Sequence, residues 1–169
     1  KIENAVEAVY GNGNGALLNA PEININHLTF NNNLVPIKLS EDDFGSSVIT
    51  ANIFECDGDY LTKSPHIGVY PQQHILLEDV TGIHIGGSGN ALNSFYDIYV
   101  GIKAIRSSLL VTNSEFVNLK NYNTQPPQKG VGILAQNGTA TACTLEVDSR
   151  FRNLYRGIFS SGNFDVTIQ

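Results

Sequence analysis

The chain has 169 residues, 41% of them hydrophobic, which excludes a disordered tail, and only 15% charged, which argues against long salt-bridged helices and coiled coils. It holds 16 Gly and 19 Asn but no Met or Trp, the makeup of many strands joined by tight turns. A net charge of -6 speaks against a nucleic-acid partner.

No apolar run approaches the ~18 residues of a membrane span. The chain starts at Lys1 with no basic start followed by an apolar stretch, so a signal peptide is absent or already removed. Cys56 and Cys143 are the only thiols, too few for a disulfide framework or a CxxC zinc site. Two small buried or half-buried residues is the favoured reading, and one disulfide the alternative.

In chain order, the first unit is Ile2-Glu3-Asn4-Ala5-Val6-Glu7-Ala8-Val9. It recurs as Phe30-Asn31-Asn32-Asn33-Leu34-Val35-Pro36-Ile37, with the anchor, the Asn two later and the aliphatic residue seven later. Phe54-Glu55-Cys56 starts a third copy, predicted to resume near Ile67-Gly68-Val69 after an insertion at about 55–66. His74 to Ile85 is expected to hold an extra unit. Phe95-Tyr96-Asp97-Ile98-Tyr99-Val100-Gly101-Ile102 and Phe151-Arg152-Asn153-Leu154-Tyr155-Arg156-Gly157-Ile158 are the clearest copies. Between them, Phe116-Val117-Asn118-Leu119 waits until Gly132-Ile133 for its second half, with an insertion at about 119–131.

A short strand precedes each anchor. Ile23 and Ile25 before Phe30 match Leu109 and Val111 before Phe116. Val48 and Thr50 before Phe54 match Leu145 and Val147 before Phe151. Residues two apart share one face of a strand. The anchors Ile2, Phe30, Phe54, Phe95, Phe116 and Phe151 are 28, 24, 41, 21 and 35 residues apart, so the unit is about 21–24 residues. Helical repeats need longer runs at helical spacing, and the leucine-rich pattern is missing. A parallel β-helix remains, in which like residues stack ~4.8 Å apart.

Two residues after the anchors stand Asn4, Asn32, Cys56, Asp97, Asn118 and Asn153. Asn tolerates the left-handed turn conformation, and stacked amides bond one another. This ladder is structural. Glu115 and Arg150 each precede an anchor, so an outward cross-strand ion pair is expected between them.

Phe anchor, Asn turn and Gly-Ile strand together resemble the right-handed parallel β-helix repeats of the pectate-lyase-like superfamily, over nearly the whole chain. The resemblance implies an all-β fold: a single-stranded right-handed parallel β-helix of about six to seven turns, one domain over 1–169 with two loop insertions. Both ends fall inside units without a cap, which suggests a portion of a longer secreted or surface polypeptide, with flanking domains as partners.

Catalytic residues are not carried over from this superfamily. Its lyases use acidic residues for calcium and a Lys or Arg base; its hydrolases use close aspartates. Asp42-Asp43 superficially resembles the latter, yet the accompanying Asn-Thr-Asp, Gly-His-Gly and Arg-x-Lys segments do not occur, nor does the lyase Arg-x-Pro-x-x-Arg. Glu55, Asp57 and Asp59 sit around Gly58 and would suit calcium, the one cofactor considered, against the favoured reading of a solvated loop. The four histidines lack zinc-motif spacing, and Gly86-Gly87-Ser88-Gly89 lacks the Lys of a phosphate loop. Asn137-Gly138-Thr139 is a glycosylation sequon by pattern.

The two insertions leave at the same corner, so they form one edge. Tyr60, Tyr70 and Tyr122 lie in or near them, and Tyr99 and Tyr155 recur in the turn. Tyrosines suit sugar rings, although packing onto the coil is the blander reading. The expected function is a secreted or cell-surface bacterial module for adhesion, glycan binding or a stalk, without catalysis in this segment. Its ligand would be a polysaccharide or another surface molecule, with no membrane span. The alternative is part of a polysaccharide lyase or glycoside hydrolase acting on acidic or plant or algal polysaccharide.

Overall fold

The computed structural model describes residues 1–12, 22–45, 47–56, 70–87, 91–121 and 128–169, with the side chains of Asp42 and Asn121 left aside. Among these residues the protein is all-β. The strands are β1 (Ile2–Glu3), β2 (Glu7–Asn12), β3 (Asn24–Asn26), β4 (Thr29–Asn31), β5 (Val35–Asp43), β6 (Val48–Thr50), β7 (Ile53–Glu55), β8 (Gln73–Thr81) and β9 (Ile83–Ile85). They continue as β10 (Asn93–Tyr96), β11 (Val100–Ile105), β12 (Leu109–Val117), β13 (Lys120–Asn121), β14 (Gln128–Lys129), β15 (Val131–Asn137), β16 (Cys143–Arg152), β17 (Arg156–Gly162) and β18 (Phe164–Ile168). No helix of the described residues is long and apolar enough to cross a membrane.

All pairings are parallel except the β13–β14 hairpin. The strands form three rows. One is the six-stranded sheet β2-β5-β8-β11-β15-β17. The ten-stranded sheet supplies the other two, because β12 and β16 bend across both. Its inner-Phe row runs β1-β4-β7-β10 and on to the second halves of β12 and β16. Its other row runs β3-β6-β9 and on to their first halves, then β18. The chain visits Phe row, six-stranded sheet and remaining row in that order, six times, an arrangement compatible with a β-solenoid.

The cause is residue type at matched positions. Phe30, Phe54, Phe95, Phe116 and Phe151 are register partners and stack with centroids 5.0, 4.7, 4.6 and 5.0 Å apart. That spacing is the strand spacing of a parallel sheet, so backbone pairing and ring stacking reinforce each other. Ile37, Ile75, Ile102, Ile133 and Ile158 stack along the six-stranded sheet, and Ile25, Ile49, Ile85, Val111 and Val147 along the opposite row. Together they form one continuous core.

Corners are made by residues at positive φ, the region where Asn and Asp cost least. Asn4, Asn32, Asp97, Asn118 and Asn153 lie there, with φ of 55, 56, 64, 55 and 54°. Asn153 Nδ2 donates to Asn118 Oδ1 at 2.6 Å along the stack. A second amide stack is buried at the bend before the Phe row. Asn52 Oδ1 accepts from Leu28 N at 3.0 Å, and Asn93 Oδ1 accepts from Asn52 N at 3.0 Å. Each satisfies backbone groups that the bend takes out of the ladder.

Four expectations change. Phe54 and Phe95 are direct neighbours, so His74 to Ile85 is no extra unit but the continuation of the pass that Phe54 begins. That pass pairs from Gln73, with Ile75 opposite Ile102, so His74 takes the place that Gly101, Gly132 and Gly157 fill later; residues 67–69 lie outside the described residues. Ile49, not Val48 or Thr50, is fully buried, because Ala51 at φ 57° adds a residue to the bend before Phe54. Glu115 and Arg150 do face each other in register, but the ion pair of Glu115 is with Arg152. Glu115 is buried, because the longer diagonal reach of Arg152 covers it.

Candidate ligand-binding site

Glycine marks where the six-stranded sheet passes closest to the rings. A Cβ on Gly101 would lie 2.5 Å from Phe116 Cδ1, and one on Gly132 would lie 2.6 Å from Phe151 Cδ1. The residues just before these strands stack in turn. Val100, Val131 and Arg156 are register partners, so Tyr99, Gly130 and Tyr155 occupy equivalent positions. The backbone ties them: Val131 N donates to Tyr99 O at 2.8 Å and Tyr155 N to Gly130 O at 2.9 Å. A Cβ on Gly130 would collide with Tyr99 O. Two tyrosines therefore stand two strand spacings apart, about 9.6 Å, with a gap between them.

The hairpin of β13 and β14 springs from that gap. Gln128 and Lys129 complete a cleft of about 420 Å³ with Tyr99 and Tyr155. Tyr155 is 66% exposed, and the Arg156 guanidinium lies 5.1 Å from the centre of its ring. The cleft offers two aromatic surfaces, an ammonium and an amide.

The other sequence-predicted residues lie elsewhere. Tyr60, Tyr122, Asp57 and Asp59 lie outside the described residues. Tyr70 is half-buried and packs against Cys56 and Ile98. Glu55 is half-buried on β7. Burial pushes the Asp97 carboxyl up from its usual range; Lys120 opposes this and Glu55 adds to it. Among the described residues no three His, Cys, Asp or Glu side chains converge for a metal ion. Cys56 and Cys143 are both buried, and no disulfide joins them. Tyr99 and Tyr155 are visible in the repeat; Gln128 and Lys129 are not, because an insertion has no internal equivalent to align with.

The sequon is built into the fold. Asn137 is 2% exposed. Its Nδ2 donates to Asn163 O at 2.7 Å and Thr141 O at 2.8 Å, and its Oδ1 accepts from Thr139 N at 3.0 Å. The amide nitrogen that glycosylation would consume is thus occupied. The folded chain is expected to remain unmodified when incubated with an oligosaccharyltransferase and scored by mass. Asn137→Ala leaves carbonyls without donors and should cost about 1–3 kcal/mol in urea unfolding.

Comparison of the chain with protein-family models, curated proteins and solved structures finds no match.

Proposed function

We propose that the three rows close into a single-stranded right-handed parallel β-helix of the pectate-lyase-like kind, and that this segment is a secreted or cell-surface module that binds glycan without catalysing a reaction on it. Support for the fold comes from the sixfold visit order and the strict register of the Phe and Ile stacks. The function rests on one observation, the Tyr99–Gly130–Tyr155 cleft with Lys129 and Gln128 at its rim. Sugar rings present apolar C–H faces to aromatic rings and hydroxyls to amide and ammonium groups, and this cleft offers both.

The test is a glycan array followed by titration calorimetry on the 169-residue chain. A glycan ligand is expected whose affinity falls about tenfold or more in Tyr155→Ala, a change of at least 1.4 kcal/mol. Tyr155 is exposed, so that variant should unfold at the temperature of the parent. Binding that is unchanged in both Tyr99→Ala and Tyr155→Ala would refute the cleft. Release of unsaturated or reducing sugar from pectin-like, alginate-like or glucan polymers would instead support a lyase or hydrolase.

A further inference from the structure

The bend between the two rows of the ten-stranded sheet is not uniform. Asn113 sits two residues after the buried Val111, at φ 42°, as His27 and Ala51 sit at positive φ two residues after Ile25 and Ile49. The next bend lacks that extra residue. Thr112 pairs with Asp148 and Glu115 with Arg150, so Asn113 and Ser114 together oppose Ser149 alone. This is a β-bulge, and bulges re-aim side chains beside binding sites.

A polar groove of about 340 Å³ opens there. Asp148 and Arg150 line one side, Thr112 and Asn113 the floor, and Leu92 the far wall. Both charged residues are exposed, two positions apart on either side of the bend in β16. Neither side chain has a hydrogen-bond or ion-pair partner among the described residues. The Thr112 hydroxyl is held 2.7 Å from His84 Nε2. Burial holds the His84 imidazole below its usual range, so near neutral pH it brings no charge to the groove. Among the described residues the groove thus carries an anion and a cation whose side chains are not paired, beside a fixed hydroxyl.

The geometry points to a second site, separate from the tyrosine cleft, that binds a free α-amino acid as its zwitterion. The ligand ammonium meets Asp148, its carboxylate meets Arg150, and its side chain lies toward Leu92 and Thr112. A ligand carrying both charges on one carbon, two bonds apart, meets both charged side chains that line the groove. Each contact is then a charge-assisted hydrogen bond. A neutral sugar would use the same residues as plain donors and acceptors, with no need for both charges.

The test is amide chemical-shift titration of the 169-residue chain with L-alanine, N-acetyl-L-alanine, L-alanine methyl ester and methyl glucoside. Alanine is expected to shift Asn113, Ser149 and Arg150 saturably, with a Kd in the millimolar range. Each blocked derivative, and each of Asp148→Asn and Arg150→Gln, should bind about tenfold or more weakly. Both residues are exposed, so the spectra of the variants should otherwise match the parent. No shift up to about 100 mM alanine overturns the proposal. So does methyl glucoside or a blocked derivative binding as tightly as alanine. Neither result bears on the tyrosine cleft, whose amides at Tyr99, Gly130 and Tyr155 are read separately.

Discussion

Acidification from about pH 6.5 to about pH 4.5 should lower the unfolding free energy by about 2.3 kcal/mol through His74 alone. The residue is 1% exposed and lies against the Phe stack, 5.6 Å from Phe54 and 6.0 Å from Phe95 between ring centroids. Its Nε2 lies 2.7 Å from Tyr96 O, the geometry of an N–H donated to a carbonyl. Its Nδ1 is buried with no partner among the described residues, so a second proton would find no acceptor among them. Burial accordingly lowers the imidazole pKa to about 3, against a smaller opposing effect of the Tyr96 carbonyl.

In the unfolded chain the same group titrates near 6.5. Between the two values the unfolded state binds a proton that the folded state refuses, so stability is full above about 6.5 and falls as pH drops toward about 3. The slope is about 1.4 kcal/mol per pH unit. Carboxylates add their own pH dependence, so the measurement is a difference. Urea unfolding of the parent and of His74→Gln, which keeps a donor toward Tyr96 but cannot titrate, is compared across this window. The variant should lose stability less steeply, by about one proton. Parallel curves would mean that His74 takes up its proton in the folded state as readily as in the unfolded one.

His74 also shows where the sequence stops being legible. The repeat is read by matching like residues, and the Phe anchors match because a flat ring stacks best on another ring one strand away. The Gly-Ile half matches in the last three passes, where glycine lets Phe116 and Phe151 close on the backbone. In the third pass an imidazole fills that space instead. The anchor pattern therefore loses its second half and points to Ile67-Gly68-Val69, while the register sets His74-Ile75 opposite Gly101-Ile102. The bend errs for a related reason. One residue at positive φ is present in some passes and absent in others, and a single added residue exchanges inside for outside, as at Val48, Ile49 and Thr50. Parts of the candidate site follow the same division. Tyr99 and Tyr155 belong to the repeat and can be aligned; Gln128, Lys129 and the bulge at Asn113 exist only as departures from it.

Truncation of a central ring should be the most damaging single change to the core. Phe95 is fully buried, with stacked neighbours at 4.7 Å on one side and 4.6 Å on the other. Phe95→Ala removes both stacking contacts and leaves a void that the parallel backbone, pinned by hydrogen bonds on either side, cannot collapse to fill. The expected cost is about 3–5 kcal/mol. Phe151 is half-buried and has one stacked partner, Phe116, at 5.0 Å. Its truncation should cost roughly half as much, since less apolar surface and only one ring contact are lost. Equal losses at both positions in urea unfolding would show that area alone, and not the stack, sets the energy. The same comparison links core to site. Phe116 and Phe151 support Gly101 and Gly132, and the strands of those glycines begin beside Tyr99 and Gly130. Phe151→Ala, though milder for stability, should therefore weaken glycan binding more than Phe54→Ala, whose ring lies two passes from Phe116 and one from Phe95. An opposite ranking by calorimetry would separate the cleft from the ring stack beneath it.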